Sequence, residues 1–195
     1  MNNLKDRAYL LGALFYYGPT AEETQAIINA INTDASIGTH LSIDMIAWQN
    51  ALQQPDLALA WQNQFIGPQH LIAPPWGSVY LDPECIVFGE STLELRYFLQ
   101  QCQLQLESNR NEPEDHFGLL LLAFVIFLQN EDLHHAKQLL TEHLLPWGLH
   151  YLKLLIQHSE HPFIELLAQD AYVFLDTCIH YYQLTIPYKK IYWQP

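Results

Sequence analysis

An all-α fold is what this sequence predicts: a single domain over residues 1–195, built as a bundle of about nine helices. Three features lead there. Apolar residues recur at intervals of three and four along most of the chain, no run alternates convincingly between apolar and polar, and prolines fall between the periodic runs. No internal repeat, low-complexity stretch or linker divides the chain.

The elements follow in order. Leu4, Ala8, Leu11 and Phe15 share one helical face, so the stretch ending at Tyr16-Tyr17 is expected to be a helix. Lys5 and Arg7 ahead of this apolar run give it a passing likeness to a secretory leader. The tyrosines and Gly18-Pro19, with no small-residue cleavage site, favour a mature helix. Thr20 followed by Glu23 is a capping-box spacing, placing a helix start there with Ile27, Ile28 and Ile31 turned inward. Pro55-Asp56 opens a helix that runs through Leu59, Trp61 and Phe65 to a stop at Gly67-Pro68. Ser91–Glu107 is predicted helical from Leu95, Phe98, Cys102 and Leu106. Pro113 is expected to open a core helix through Phe117–Leu128, which is too short to span a bilayer. Leu133, Ala136 and Leu140 pattern the next helix, and Pro146 and Pro162 punctuate the last two. The final face is Phe163, Leu167, Ala171, Phe174, Cys178 and Tyr181.

Between these helices lies Gly67–Gly89, with four prolines and many apolar residues. That content predicts one long ordered loop, rich in proline and aromatics, either a strap pinned to the core or a functional surface.

Composition narrows the chemistry. With 21 acidic against 8 basic residues the net charge is −13, which disfavours nucleic acid and anionic membrane and favours a cationic partner; stable membrane insertion is not expected. The three cysteines form no metal or disulfide pattern and suit a reducing cytoplasm. Ten histidines lack metal-ligand spacing, so no metal and no cofactor is expected. Phosphate-binding glycine loops and a nucleophile elbow are absent, and only Arg96, Arg110, Lys137 and Lys153 are basic between Ala8 and Tyr188.

Asn111-Glu112-Pro113-Glu114-Asp115-His116 admits two readings. Proline and acids there suit the first turn of a helix, and the same three carboxylates suit a guanidinium. An Asp115–His116 catalytic dyad is disfavoured, because helical neighbours do not face each other. Trp61, Phe65, Trp76 and Tyr80, in or beside the long loop, are either core or the wall of a peptide groove.

Several blocks, in order along nearly the whole chain, resemble the TorD/DmsD family of redox-enzyme maturation chaperones, and its DmsD branch in particular. They are Leu11–Tyr17, Ala60-Trp61-Gln62 to Pro68, Pro74–Asp82, Phe88–Leu93, the E-P-x-D-H signature at Glu112–His116, His143–Trp147 and Glu160–Phe163. The resemblance implies a cytoplasmic, all-helical, non-enzymatic protein that binds the twin-arginine signal peptide of a molybdenum-containing reductase, of the dimethyl sulfoxide reductase catalytic-subunit type. Such a chaperone delays export until folding and cofactor insertion are complete, with the Tat translocase as a further partner. It also implies a signal-peptide-binding surface at Tyr16, Trp61, Phe65, Trp76, Tyr80, Gly89, Glu112, Pro113, Asp115 and His116. Close relatives tend to carry Trp where this chain has Gln69 and Tyr80, which bears on leader preference. An Asp115 that grips an arginine predicts a selective loss of Arg-Arg leader affinity on Asp115→Asn. A nucleotide hydrolase with Asp115 as base, and a general assembly scaffold, are the alternatives from other classes.

Overall fold

The computed structural model describes residues 2–34, 36–67, 70–106 and 112–195. Among them, ten continuous helical segments and no strand make up the fold. The elements are α1 (Asn2–Tyr17), α2 (Gln25–Thr33, entered through a 3-10 turn at Glu22–Thr24), α3 (Ser36–Leu41), α4 (Met45–Leu52), α5 (Leu57–Trp61, extended by a π turn at Gln62–Ile66), α6 (Gly77–Leu81), α7 (Glu90–Gln101), α8 (Phe117–Gln129), α9 (Leu133–Gln138, passing through a π segment at Leu139–Leu144 into α10), α10 (Leu145–Gln157) and α11 (Pro162–Tyr182).

Helix α8 is the centre because it is apolar almost all round, and it is buried from Phe117 to Leu121 and again through most of its second half. α1 lies against it at close range. A Cβ on Gly118 would come within 2.7 Å of the Tyr16 nitrogen and 2.8 Å of the Gly12 carbonyl oxygen. Facing glycines therefore let the two backbones touch. α1 also buries Arg7, whose guanidinium donates to the Asp170 carbonyl of α11 at 3.1 Å. Trp48 of α4 donates its indole N–H to the Asp170 carboxylate. The stretch that resembled a leader is thus a packed core helix. No helix among the described residues is long and apolar enough to cross a membrane.

Several sequence expectations are corrected. Thr20 is exposed and caps nothing; the helical turn begins at Glu22, and the Thr24 hydroxyl instead bonds the Gly18 and Ala21 carbonyls. α7 ends at Gln101, because Gln103 turns left-handed at φ 55° and Leu104 N–H closes onto the Leu99 carbonyl. Cys102 and Leu106 continue the spacing beyond the helix, and Glu107 lies outside the described residues. Pro113 does not open α8, which starts four residues later at Phe117. On α11 the predicted face is buried through Cys178, but Tyr181 is exposed and Tyr182 takes the buried place. Leu59 is exposed as well. The long loop is ordered where described, yet it is interrupted by α6. Pro68, Gln69 and Arg110 lie outside the described residues.

Candidate functional site

The loop of residues 70–89 and the turn 112–116 hold each other through backbone and side-chain bonds. Gly77 N–H donates to the Asp115 carbonyl at 3.1 Å, Phe117 N–H donates to the Pro75 carbonyl at 2.8 Å, and Trp76 and His116 pair as an isolated antiparallel bridge. This pairing delays the start of α8. With Phe117 N–H committed to Pro75, the helix begins at Phe117 and His116 becomes its cap, Nδ1 accepting from Gly118 N–H at 3.1 Å. His161 caps α11 in the same way. Among the described residues no group of His, Cys, Asp and Glu is placed to hold a metal ion.

Each acid of the turn has a partner within the chain. Asp115 is 3% exposed, and its Oδ2 accepts from Ser78 N–H at 2.6 Å and the Thr92 hydroxyl at 3.1 Å. It therefore caps α6 and ties it to α7, while its Oδ1 has no hydrogen-bond partner among the described residues. Burial raises its carboxyl above the usual Asp range, opposed by the Ser78 and Thr92 bonds. Glu114 receives two 2.8 Å bonds from Arg96, and those bonds hold its carboxyl below the usual Glu range. Glu112 accepts the Trp76 indole N–H at 2.8 Å. The carboxylates that local spacing offered to an incoming guanidinium are thus engaged with residues of the chain.

The aromatic residues divide. Trp61 stacks on Phe65 at 4.0 Å and 18°, and Phe65 meets Phe15 edge-on at 6.2 Å. Next along α1, Tyr16 meets His116 at 5.4 Å, and His116 meets Trp76 at 6.2 Å. The structure thereby joins Tyr16, Trp61, Phe65, Trp76, Glu112, Pro113, Asp115 and His116 in one region where α1, α5, the loop and the turn converge. Trp76 is half-buried there, with Ile66 and Ile72 exposed on nearby segments. Of the residues so joined, Tyr16, Trp61, Phe65 and His116 are buried, and Tyr80 lies apart and deeper, fully enclosed and stacked on Trp147 at 5.3 Å. Gly89 borders the site from the other side of α7's start. A Cβ there would clash with Asp82 Oδ2, which accepts Ser91 N–H and hydroxyl. Sequence reasoning missed Ser78, Thr92 and Asp82, the residues that fix this geometry. Their only local signal was small polar residues beside a helix start.

A family model described as nitrate reductase delta subunit matches residues 20–152. The chain is 43% identical over 169 residues to the Tat proofreading chaperone DmsD of Salmonella typhimurium, covering 84% of this chain and 83% of the relative. It is 39% identical over 168 residues to a probable Tat proofreading chaperone DmsD of Haemophilus influenzae, covering 82% and 81%. Similarity extends, at 30% over 105 residues, to the chaperone protein TorD of Ferrimonas balearica, covering 52% and 49%. The chain belongs to the TorD/DmsD family of chaperones.

Proposed function

We propose that the protein is a cytoplasmic, non-catalytic proofreading chaperone. It binds the twin-arginine signal peptide of a molybdenum-containing reductase, of the dimethyl sulfoxide reductase catalytic-subunit type, and withholds it from the Tat translocase until folding and cofactor insertion are complete. The observation that carries the reading is the locked junction of loop and turn. Trp76, Glu112, Asp115 and His116 are fixed by hydrogen bonds beside Tyr16 and the Trp61–Phe65 stack. A surface of this kind binds an apolar segment without first having to be ordered, which lowers the entropic cost of association. The net charge of −13 draws in a leader that carries arginines. In this proposal Asp115 and Pro113 shape the surface from beneath. Trp76 and Glu112 meet the peptide, the buried Tyr16, Trp61, Phe65 and His116 support them from the core, and Gly89 keeps one end of the surface open.

Calorimetric titration with a synthetic leader tests the proposal. The Arg-Arg leader should bind, and its Gln-Gln counterpart should bind at least tenfold more weakly, since a charge-assisted hydrogen bond contributes about 1.5–3 kcal/mol. Failure of the Arg-Arg leader to bind, or equal affinity for the two peptides, would refute it.

A further inference from the structure

After α11 the chain turns at Gln183, with φ 53°, and residues 184–195 continue without helix or strand. This strap returns across α7 to the loop of residues 70–89. Lys189 lies 3.7 Å from Glu94 of α7. Tyr192 N–H donates to the Tyr80 carbonyl at 2.8 Å, and the Trp193 indole donates to the Ile72 carbonyl at 2.9 Å, its ring 5.1 Å from His70. Ile186, Ile191 and Trp193 are partly buried against the core.

The composition of the strap matches the partner proposed above. Lys189 and Lys190 are adjacent and hold two of the chain's eight basic residues, and Ile191-Tyr192-Trp193 follow at once. Lys189, Lys190 and Tyr192 form one wall of a cleft whose other wall carries Asp82, Glu90, Ser91 and Glu94. Asp82 is the residue against which Gly89 packs, so this cleft adjoins the candidate site. A basic pair followed by apolar residues, set against the acids of this cleft with Lys189 paired to Glu94, is the arrangement that a twin-arginine leader would present.

We propose that this cleft receives the arginine pair of the leader, and that residues 184–195 are an internal stand-in which the leader displaces. The inference rests on the proposed function and adds to it where the arginines sit and what guards the place. Two contrasts make displacement feasible. The strap offers Glu94 a single ammonium in an exposed pair, whereas a guanidinium offers paired, directional donors to a carboxylate. The strap also covers the Tyr80 and Ile72 carbonyls, which become acceptors for another peptide once it leaves. Because the strap is tethered, it competes at high effective concentration and sets a threshold that weakly matched peptides do not pass.

Leader affinity is measured for the full chain, for the chain without residues 185–195, and for Lys189→Gln/Lys190→Gln, with melting temperature as a control on folding. If the strap closes the cleft about nine-tenths of the time, its removal should tighten leader binding roughly tenfold. The double substitution, which leaves the strap backbone in place, should tighten binding a few-fold. A synthetic peptide of residues 185–195 should bind the shortened chain and be displaced by the leader. Unchanged or weakened leader affinity in the double variant, or simultaneous binding of strap peptide and leader, would overturn the inference alone. Failure of the full and shortened chains alike to bind any leader would remove the proposed function and this inference with it.

Discussion

Two acidic groups lie at α7, and the fold uses them differently. On one side Glu112, Glu114 and Asp115 are held by an indole, an arginine, a backbone N–H and a hydroxyl of the same chain. On the other, Glu90 is exposed and the side chain of Glu94 is 58% exposed, touched by a lysine from a strap without secondary structure. The residue types are the same in both groups. What differs is burial, which commits the first group to holding the site in shape and leaves the second open to exchange its partner.

The largest expected effect is at Asp115. Asp115→Ala leaves Ser78 N–H and the Thr92 hydroxyl buried without an acceptor, and each such loss costs about 1–3 kcal/mol, so unfolding free energy should fall by about 3 kcal/mol. Asp115→Asn keeps an acceptor oxygen and removes a charge that burial already disfavours, so about 1 kcal/mol or less is expected. Denaturant titration distinguishes the two, and equal costs would break the assignment of Asp115 as a pin.

Acid unfolding probes the strap side. Burial first, and Lys189 second, push His143 down to about 4. An unfolded His takes up its proton near pH 6.5, whereas the folded one waits until about pH 4. The stability it contributes is therefore complete above about 6.5 and is lost as pH falls toward 4, by about 2–3 kcal/mol. His143→Phe should flatten stability across that window, and removal of residues 185–195 should raise the His143 titration seen by NMR. A titration indifferent to the strap would place Lys189 elsewhere in solution. The acids of the turn titrate in opposite senses. Asp115, raised by burial, adds stability as pH falls through its folded value, while Glu114, lowered by Arg96, gives up stability as pH falls through its own.

Gly89→Ala joins the two sides. Its φ of −74° suits any residue, so the cost is steric. The new Cβ would push Asp82 away from the Ser91 N–H and hydroxyl at the start of α7, costing about 1–2 kcal/mol, the size of a lost helix cap. Smallest of all, Glu114→Gln should cost about 1 kcal/mol, its pair with Arg96 being part-buried, and Glu94→Gln at most about 0.5, since Glu94 is the more exposed acid. A larger loss at Glu94 than at Glu114 would reverse the comparison.

Much of the fold was legible because the helices are amphipathic or, like α8, apolar throughout, and such spacing survives any tertiary arrangement. The aromatic and acidic residues of the site were also visible as a motif. Their roles were not, since these depend on contacts between distant segments. Pro113 and its acids have the local chemistry of a helix start, but the Pro75 carbonyl captures Phe117 N–H and moves the start to Phe117, capped by His116. Tyr80 looks like its neighbour Trp76 in sequence, and only the Trp147 and Tyr151 rings opposite show that it is enclosed. α3 and α4 passed unnoticed in a weakly patterned stretch, although Asp44 caps α4 in the ordinary way. The strap has no periodicity to read.

The central claim is that arginine recognition belongs to the exposed acids beside the strap and site shape to the buried acid of the turn. The most direct test is the ratio of affinities for Arg-Arg and Gln-Gln leaders, because strap opening affects both peptides equally and cancels. Glu90→Gln/Glu94→Gln should reduce this ratio about tenfold, in line with a lost charge-assisted bond, while Asp115→Asn should leave it unchanged even if both affinities fall. A ratio that collapses in Asp115→Asn and survives in Glu90→Gln/Glu94→Gln would contradict the account.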